Sequence, residues 1–319
     1  MEEFRSYSPE DVISVNLRET AERMSLMREQ EMAHLCEQAA QIVTDGSHSS
    51  DFIASLRDHR PPQFSFDALP QNAEMLQKAT EVQSVWQSIV LCREIRRRLE
   101  SENALHPTLF FPEPDTPSEM ARGRVIYQRN SYADSAYLLF ARQIPSARAL
   151  YTHSFSGVCE EVYRGNCEFC ILPLENSTEG LLNSFARLID RYELKIAATC
   201  DVPTTDSGRV TRFALLRRNL IPPASFDAED LFFEFTAPLT PSPGVAALLG
   251  AAECCGLSLC RIDSRLRQSE EKSDPIAHVV LQVGAGDLSS FLLYLAMEAP
   301  HCDRVGIYFH INEHQQKGI

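Results

Sequence analysis

The sequence is short of positive charge. It carries 30 Lys and Arg against 44 Asp and Glu, a formal net charge of -14 over 319 residues. That excludes the nucleic-acid binders whose affinity comes from neutralising phosphates. The one basic cluster, Arg93, Arg96, Arg97 and Arg98, reads as a solvated helix face. No apolar run approaches the length that crosses a bilayer, so no membrane partner is expected. The first residues, MEEFRSYSPEDV, lack the basic and apolar regions of a secretory signal. A cytoplasmic location is therefore expected, and the partner class that remains is a small molecule or another protein chain. The ten cysteines lie scattered in apolar periodic segments, as at Cys254, Cys255 and Cys260, which suits reduced core thiols. Cys167 and Cys170 form a lone CxxC without the second ligand pair that a zinc site needs, so no metal is expected.

The length fits two or three domains. Residues 1–105 read as helical. Ser8-Pro9-Glu10-Asp11 combines a capping serine, a proline at the first helical position and acids near the positive end of the dipole. A short segment near 52–56 follows, and Pro61-Pro62 breaks the chain. Met75, Ala79, Val82, Trp86, Ile89 and Ile95 then recur at helical spacing. This segment has the character of a packing or dimerisation unit. Residues 106–120 hold four prolines and read as a linker.

Residues 121–222 alternate strand and helix. Strands are expected at 124–128, 147–153, 167–174, 194–202 and 210–218, with helices at 132–142, 154–164 and 178–192. That alternation implies a mostly parallel sheet covered on both faces, with ligands beyond the carboxyl ends of its strands. Residues 229–313 read strand, helix, strand, strand, helix, strand, the ferredoxin-like order. Ser269 to Asp274 reads as a solvated hairpin loop.

The stretch Ile171 to Gly180, ILPLENSTEG, ends a strand in that ligand position. Two readings of it stand side by side. Asn176, Ser177 and Thr178 cap the helix that follows, with Glu179 in its first turn, or the loop holds a ligand.

With VTRFALL at 210–216 and PGVAALLGAAECCGLSLCRIDSRL at 243–266, this stretch resembles the prephenate dehydratases with a C-terminal ACT regulatory domain. The similarity runs over about residues 121–313. The order helices, dehydratase, ACT also resembles bifunctional chorismate mutase–prephenate dehydratases, although the helical segment carries no Arg and Lys array that aligns with the mutase site. The resemblance implies a periplasmic-binding-protein-like catalytic domain. It implies loss of carbon dioxide and the ring hydroxyl from prephenate, giving phenylpyruvate without a cofactor. It makes Thr211 the acid or hydrogen-bond donor to the leaving hydroxyl. Glu175, Asn176 and Ser177 belong to the substrate loop, and Arg212 and Phe213 shape the floor. In the ACT part it assigns an effector, L-phenylalanine, to Pro243, Gly244 and Val245 and to Asp263, Ser264 and Arg265. The last three stand where the family has Glu-Ser-Arg and then Pro; here the first is Asp, and Leu266 replaces the proline.

Two features of the family are missing. Val202 and Val210 are separated by seven residues, which span at most ~25 Å and cannot build a second lobe. The first loop, Gln128 to Ala133, lacks the family's glycines, and Ala133 stands at the position of its serine. The dianion would lose much of its preorganised stabilisation, and a shared fold does not guarantee the site. The expected function is a catalytically impaired member of the phenylalanine branch that senses an aromatic amino acid as a homodimer. Two alternatives are an active dehydratase completed across a dimer and a partner subunit of a full-length enzyme.

Overall fold

A computed structural model describes residues 73–101, 103–106, 109–111, 117–203, 208–223, 226, 230–239, 244–268 and 273–311, with isolated helical positions between 19 and 34. The expected helix start at Ser8-Pro9, the break at Pro61-Pro62, most of the 203–209 connection, most of the acidic hairpin and Pro243 lie outside the described residues. The chain divides into two units, Met1–Leu105 and His106–Ile319.

The first unit contains α1 (Ala73–Ser101). Ile89, Cys92, Ile95 and Leu99 lie one face apart along it and are buried, while Trp86 is exposed. The basic cluster is partly paired within the helix: Arg96 with Glu100 at 3.1 Å and Arg97 with Glu94 at 3.3 Å. Such exposed pairs contribute little stability. Among the described residues no helix is long and apolar enough to cross a membrane.

The second unit is built on one ten-stranded sheet. Its elements in chain order are β1 (Arg124–Gln128), α2 (Ser131–Ala141), β2 (Arg148–Thr152), α3 (Phe155–Tyr163), β3 (Phe169–Asn176), β4 (Gly180–Leu181), α4 (Asn183–Arg191), β5 (Lys195–Pro203) and β6 (Val210–Arg217), then β7 (Leu231–Pro238), α5 (Val245–Cys254), β8 (Ser258–Gln268), β9 (Ser273–Gln282), α6 (Leu288–Glu298) and β10 (Asp303–Ile311). The strand order is β2-β1-β3-β6-β5-β10-β7-β9-β8, with β4 paired to β3.

The expected mostly parallel sheet is in fact mixed. β1 runs parallel to β2 and β3, but β6 runs against both β3 and β5. Pro203 faces Val210 across the β5–β6 ladder. A connection this short can only return the chain as an antiparallel neighbour, because a parallel return needs a crossover of a dozen or more residues. Helices cover both faces nonetheless. Ala133, Ala136 and Phe140 of α2 pack on one side with Val125, Tyr127, Ile171 and Phe213. Val158, Cys159 and Val162 of α3 and Ile189 of α4 pack on the other with Leu172, Ala214 and Leu216. Cys159, Cys167 and Cys170 are free and buried in this second core. Burial pushes the Cys167 thiol up to about 11, as expected of a packing residue rather than a nucleophile.

The last six elements follow the order strand, helix, strand, strand, helix, strand and pair antiparallel as β10-β7-β9-β8. They do not stand apart from what precedes them. β10 also runs parallel to β5, with Phe309 opposite Ala198 and Ile311 opposite Cys200. Gly306 permits this seam: a Cβ there would stand 2.9 Å from the Cβ of Ile196 and 3.0 Å from its carbonyl oxygen.

Five strands lie between β3 and β8 in the sheet order. A twisted sheet of this breadth curls, and here it curls far enough for Arg261 of β8 to touch Glu175 of β3. The interior between holds a buried polar trio. Glu234 Oε1 lies 2.6 Å from His278 Nε2, and the Tyr308 hydroxyl donates to Glu234 Oε2 at 2.6 Å.

Candidate functional site

Four of the residues singled out in the sequence meet on one ladder. Glu175 faces Arg212 and Asn176 faces Thr211 across β3 and β6. β5 places Asp201 opposite Arg212 and Val202 opposite Thr211. Successive strand residues point to opposite faces. Phe213 is 4% exposed in the core beneath α2, and Thr211, two residues before it, shares that face. Arg212 shares its face with Ala214 of the other core. Thr211 and Arg212 therefore do not converge on one ligand surface.

The guanidinium of Arg212 is engaged on three sides. Nε donates to Asp201 Oδ1 at 2.9 Å and Nη2 to Oδ2 at 3.2 Å, a bidentate fork. Nη1 lies 2.7 Å from Glu175 Oε1. Burial works against its charge, but Asp201 and Glu175 outweigh that and hold the group above its usual value. The second oxygen of Glu175 takes a hydrogen bond from Arg261 Nη1. Arg261 Nε lies 2.9 Å from Asp263 Oδ2, close but not aligned as a hydrogen bond. On the far side, Asp201 Oδ2 is 3.5 Å from His310 Nε2, and His310 Nδ1 is 3.0 Å from the Thr199 hydroxyl. Burial lowers the His310 pKa and Arg212 adds to it; Asp201 and Glu175 oppose, but the net direction is down from the usual imidazole value.

The ENS loop is a hairpin and does not begin a helix. Asn176 Oδ1 accepts from the backbone of Thr178 at 2.9 Å and Glu179 at 2.6 Å. Gly180, at φ +70°, turns the chain so that β4 pairs back on β3. The expected helix at 178–192 is shortened to Asn183–Arg191, whose cap residue Leu182 makes no side-chain cap bond. Ser177 ties the loop to β6: its Oγ accepts from Val210 N at 3.1 Å, and its own N donates to Val210 O at 2.9 Å.

The first loop has become an ordinary helix start. Asn130 accepts from Ala133 N at 2.8 Å and caps α2. Arg129 lies over the Tyr151 ring at 5.0 Å. The Tyr127 hydroxyl donates to Asp134 at 2.9 Å.

Of the expected effector residues, Gly244 is the cap position of α5 and Val245 its first residue. Asp263 and Arg265 are partnered internally: Asp263 with Arg261, and Arg265 with Asp190 of α4 at 2.8 Å, where the side chains are 10% and 20% exposed. Burial pushes the Asp190 carboxyl up despite Arg265. Ser264 faces Ala277 on the alternate side of β8.

The residues that complete this network and that sequence reading passed over are Asp201, Arg261 and His310. A signal for Arg261 was present. Arg261, Asp263, Arg265 and Arg267 put a charge at every second position of a strand, which is a charged stripe on one face.

A family model described as prephenate dehydratase matches residues 128–207. No curated protein matches the chain. Among solved structures, a prephenate dehydratase from Streptococcus mutans is 21% identical, with 59% of this chain and 99% of that one covered and a TM-score of 0.47. A prephenate dehydratase from Arthrobacter aurescens, solved in complex with L-Phe, is 15% identical, covers 61% and 92%, and scores 0.46. A protein described as GqqA, a novel type of quorum quenching acylase, is 20% identical, covers 58% and 94%, and scores 0.45. What is similar to the prephenate dehydratase family is thus the stretch from the end of β1 to the connection after β5, which contains Glu175, Asn176 and Ser177 and stops short of Thr211.

Proposed function

We propose that the chain is a prephenate-dehydratase-like protein of phenylalanine biosynthesis with an impaired catalytic site. In this reading the segment at 121–222 is a single lobe and residues 229–313 are an ACT-like domain that senses an aromatic amino acid, L-phenylalanine in the first instance, at Pro243, Gly244, Val245 and Ser264. The observation that carries it is the state of the expected substrate residues. Arg212 is forked to Asp201 and bound to Glu175, Asn176 holds the hairpin turn, and Ser177 holds Val210. Groups already satisfied offer a dianion little without first breaking those bonds. The six-residue link between β5 and β6 supports the same reading, because it leaves no chain for an opposing wall.

Purified protein mixed with prephenate is expected to form no more phenylpyruvate than the Thr211→Ala variant. Turnover that disappears in that variant would replace this reading with an active enzyme.

A homodimer belongs to the proposal. β8 is the edge strand of the sheet, and Leu259, Ile262 and Leu266 are exposed along it. An edge strand with one side unpaired and one face carrying exposed apolar side chains invites a second strand. Light scattering at micromolar concentration is expected to give twice the chain mass; a monomer would remove this part.

A further inference from the structure

Glu175 sits in an unusual position for a strand-end carboxylate. Its two oxygens are held from opposite sides by two guanidiniums: Oε1 by Arg212 of β6 at 2.7 Å, and Oε2 by Arg261 of β8. The two arginines come from parts of the sheet five strands apart in its order. A carboxylate shared between two guanidinium groups is the arrangement proteins use to hold an anionic ligand. Here the occupant is the protein's own side chain. It is not a buried structural pair: the Glu175 side chain is 22% exposed, Arg261 25% and Arg212 38%. The place lies at the carboxyl end of β3, where ligands of open α/β sheets sit.

We propose that Arg212 and Arg261 form a binding site for a ligand carboxylate and that Glu175 occupies it as a built-in substitute. The ligand class is an organic acid that presents one carboxylate to both guanidiniums. The inference deepens the function proposed above and rests on it in one respect, that Glu175 and Arg212 line a ligand site.

The surrounding charges say which way the balance lies. Three carboxylates, Glu175, Asp201 and Asp263, surround two guanidiniums. The cluster is net negative with Glu175 in place, and an incoming anion must first displace that side chain. Replacing Glu175 by its neutral isostere removes both the competitor and the excess negative charge. Apparent affinity rises as the reciprocal of the fraction of molecules whose site is free. Arg261 comes from β8, so any ligand or partner that moves this edge strand changes the occupancy.

The test is titration calorimetry with phenylpyruvate as the carboxylate probe, on wild type, Glu175→Gln and the double variant Glu175→Gln/Arg261→Met. Glu175→Gln is expected to bind at least about tenfold more tightly than wild type, and the double variant is expected to lose that gain. Equal binding by wild type and Glu175→Gln overturns the proposal, and so does a double variant that binds as well as Glu175→Gln. If Glu175→Gln does not fold, Glu175→Asp replaces it: its carboxylate is withdrawn by one methylene, and a rise in affinity over wild type is again required. Prephenate turnover by the wild type would remove the impaired-site reading but leaves these affinities to be measured, so the two can fail separately.

Discussion

Glu234→Ala is expected to lower the unfolding free energy by about 3 kcal/mol, because it leaves two buried hydrogen-bonding groups without their acceptor. Glu234, His278 and Tyr308 are 2%, 4% and 6% exposed. Truncation leaves the His278 ring nitrogen and the Tyr308 hydroxyl without the acceptor each now faces at 2.6 Å. Water cannot easily replace it, and a buried polar group left unpaired carries its full desolvation penalty. The loss also has a pH signature. Burial raises the Glu234 carboxyl, but His278, the Tyr308 hydroxyl and Arg261 lower it further, and the net direction is down. A folded value below the unfolded one contributes stability that is complete above about pH 4.3 and disappears as pH falls through the folded value. Urea denaturation at pH 7 and at pH 3.5 checks both parts, with a smaller difference from wild type expected at the lower pH. A loss under about 1 kcal/mol at pH 7 would mean that solvent reaches the trio. Replacing all three residues by apolar ones of similar volume is expected to cost far less than the single truncation.

Phe291→Ala is expected to cost a similar amount, about 3–5 kcal/mol, by a different route. Phe291 is fully buried on α6. Its ring lies 6.1 Å from Phe233 at 79°, 6.0 Å from Phe235 at 58° and 6.4 Å from Tyr294 at 13°. Phe233 and Phe235 are stacked on β7, which is paired on both sides and cannot move inward to fill the space. The variant therefore loses the transfer energy of the ring and keeps a cavity. Denaturant unfolding reads the loss, and unlike the first variant it is expected to be insensitive to pH. A cost below about 1.5 kcal/mol would show that α6 settles onto the sheet.

Much of the architecture is legible residue by residue. The strand Arg124–Gln128 has the boundaries that apolar patterning assigns it, and the six elements of 229–313 follow the expected order of strand and helix. The hairpin at 176–181 was not legible as such. Asn-Ser-Thr-Glu suits a helix cap and a turn equally, and the deciding feature is Gly180 in a left-handed conformation. The direction of β6 follows from the short connection, although strand and helix alternation alone suggested a parallel sheet. The contacts of Arg261 were beyond local pattern. They depend on how far the sheet curls, a property that no stretch of sequence carries by itself. Arg212 was found by motif, and its partners Asp201 and Glu175 follow only once β3, β5 and β6 are in register.

The pairing of β10 with β5 has a consequence for how the chain acquires its structure. β5 ends at Pro203 and its neighbour begins at Asp303, so one flank of β5 stays bare until about a hundred further residues have been synthesised. During that interval the ribosome presents an apolar strand, Lys195–Pro203, with open hydrogen-bonding groups along one side. Closing it requires a long loop and comes late. Chains that stall or are cut before residue 303 keep an adhesive strand edge. The strand that closes this edge is thus the one made furthest from it in the chain.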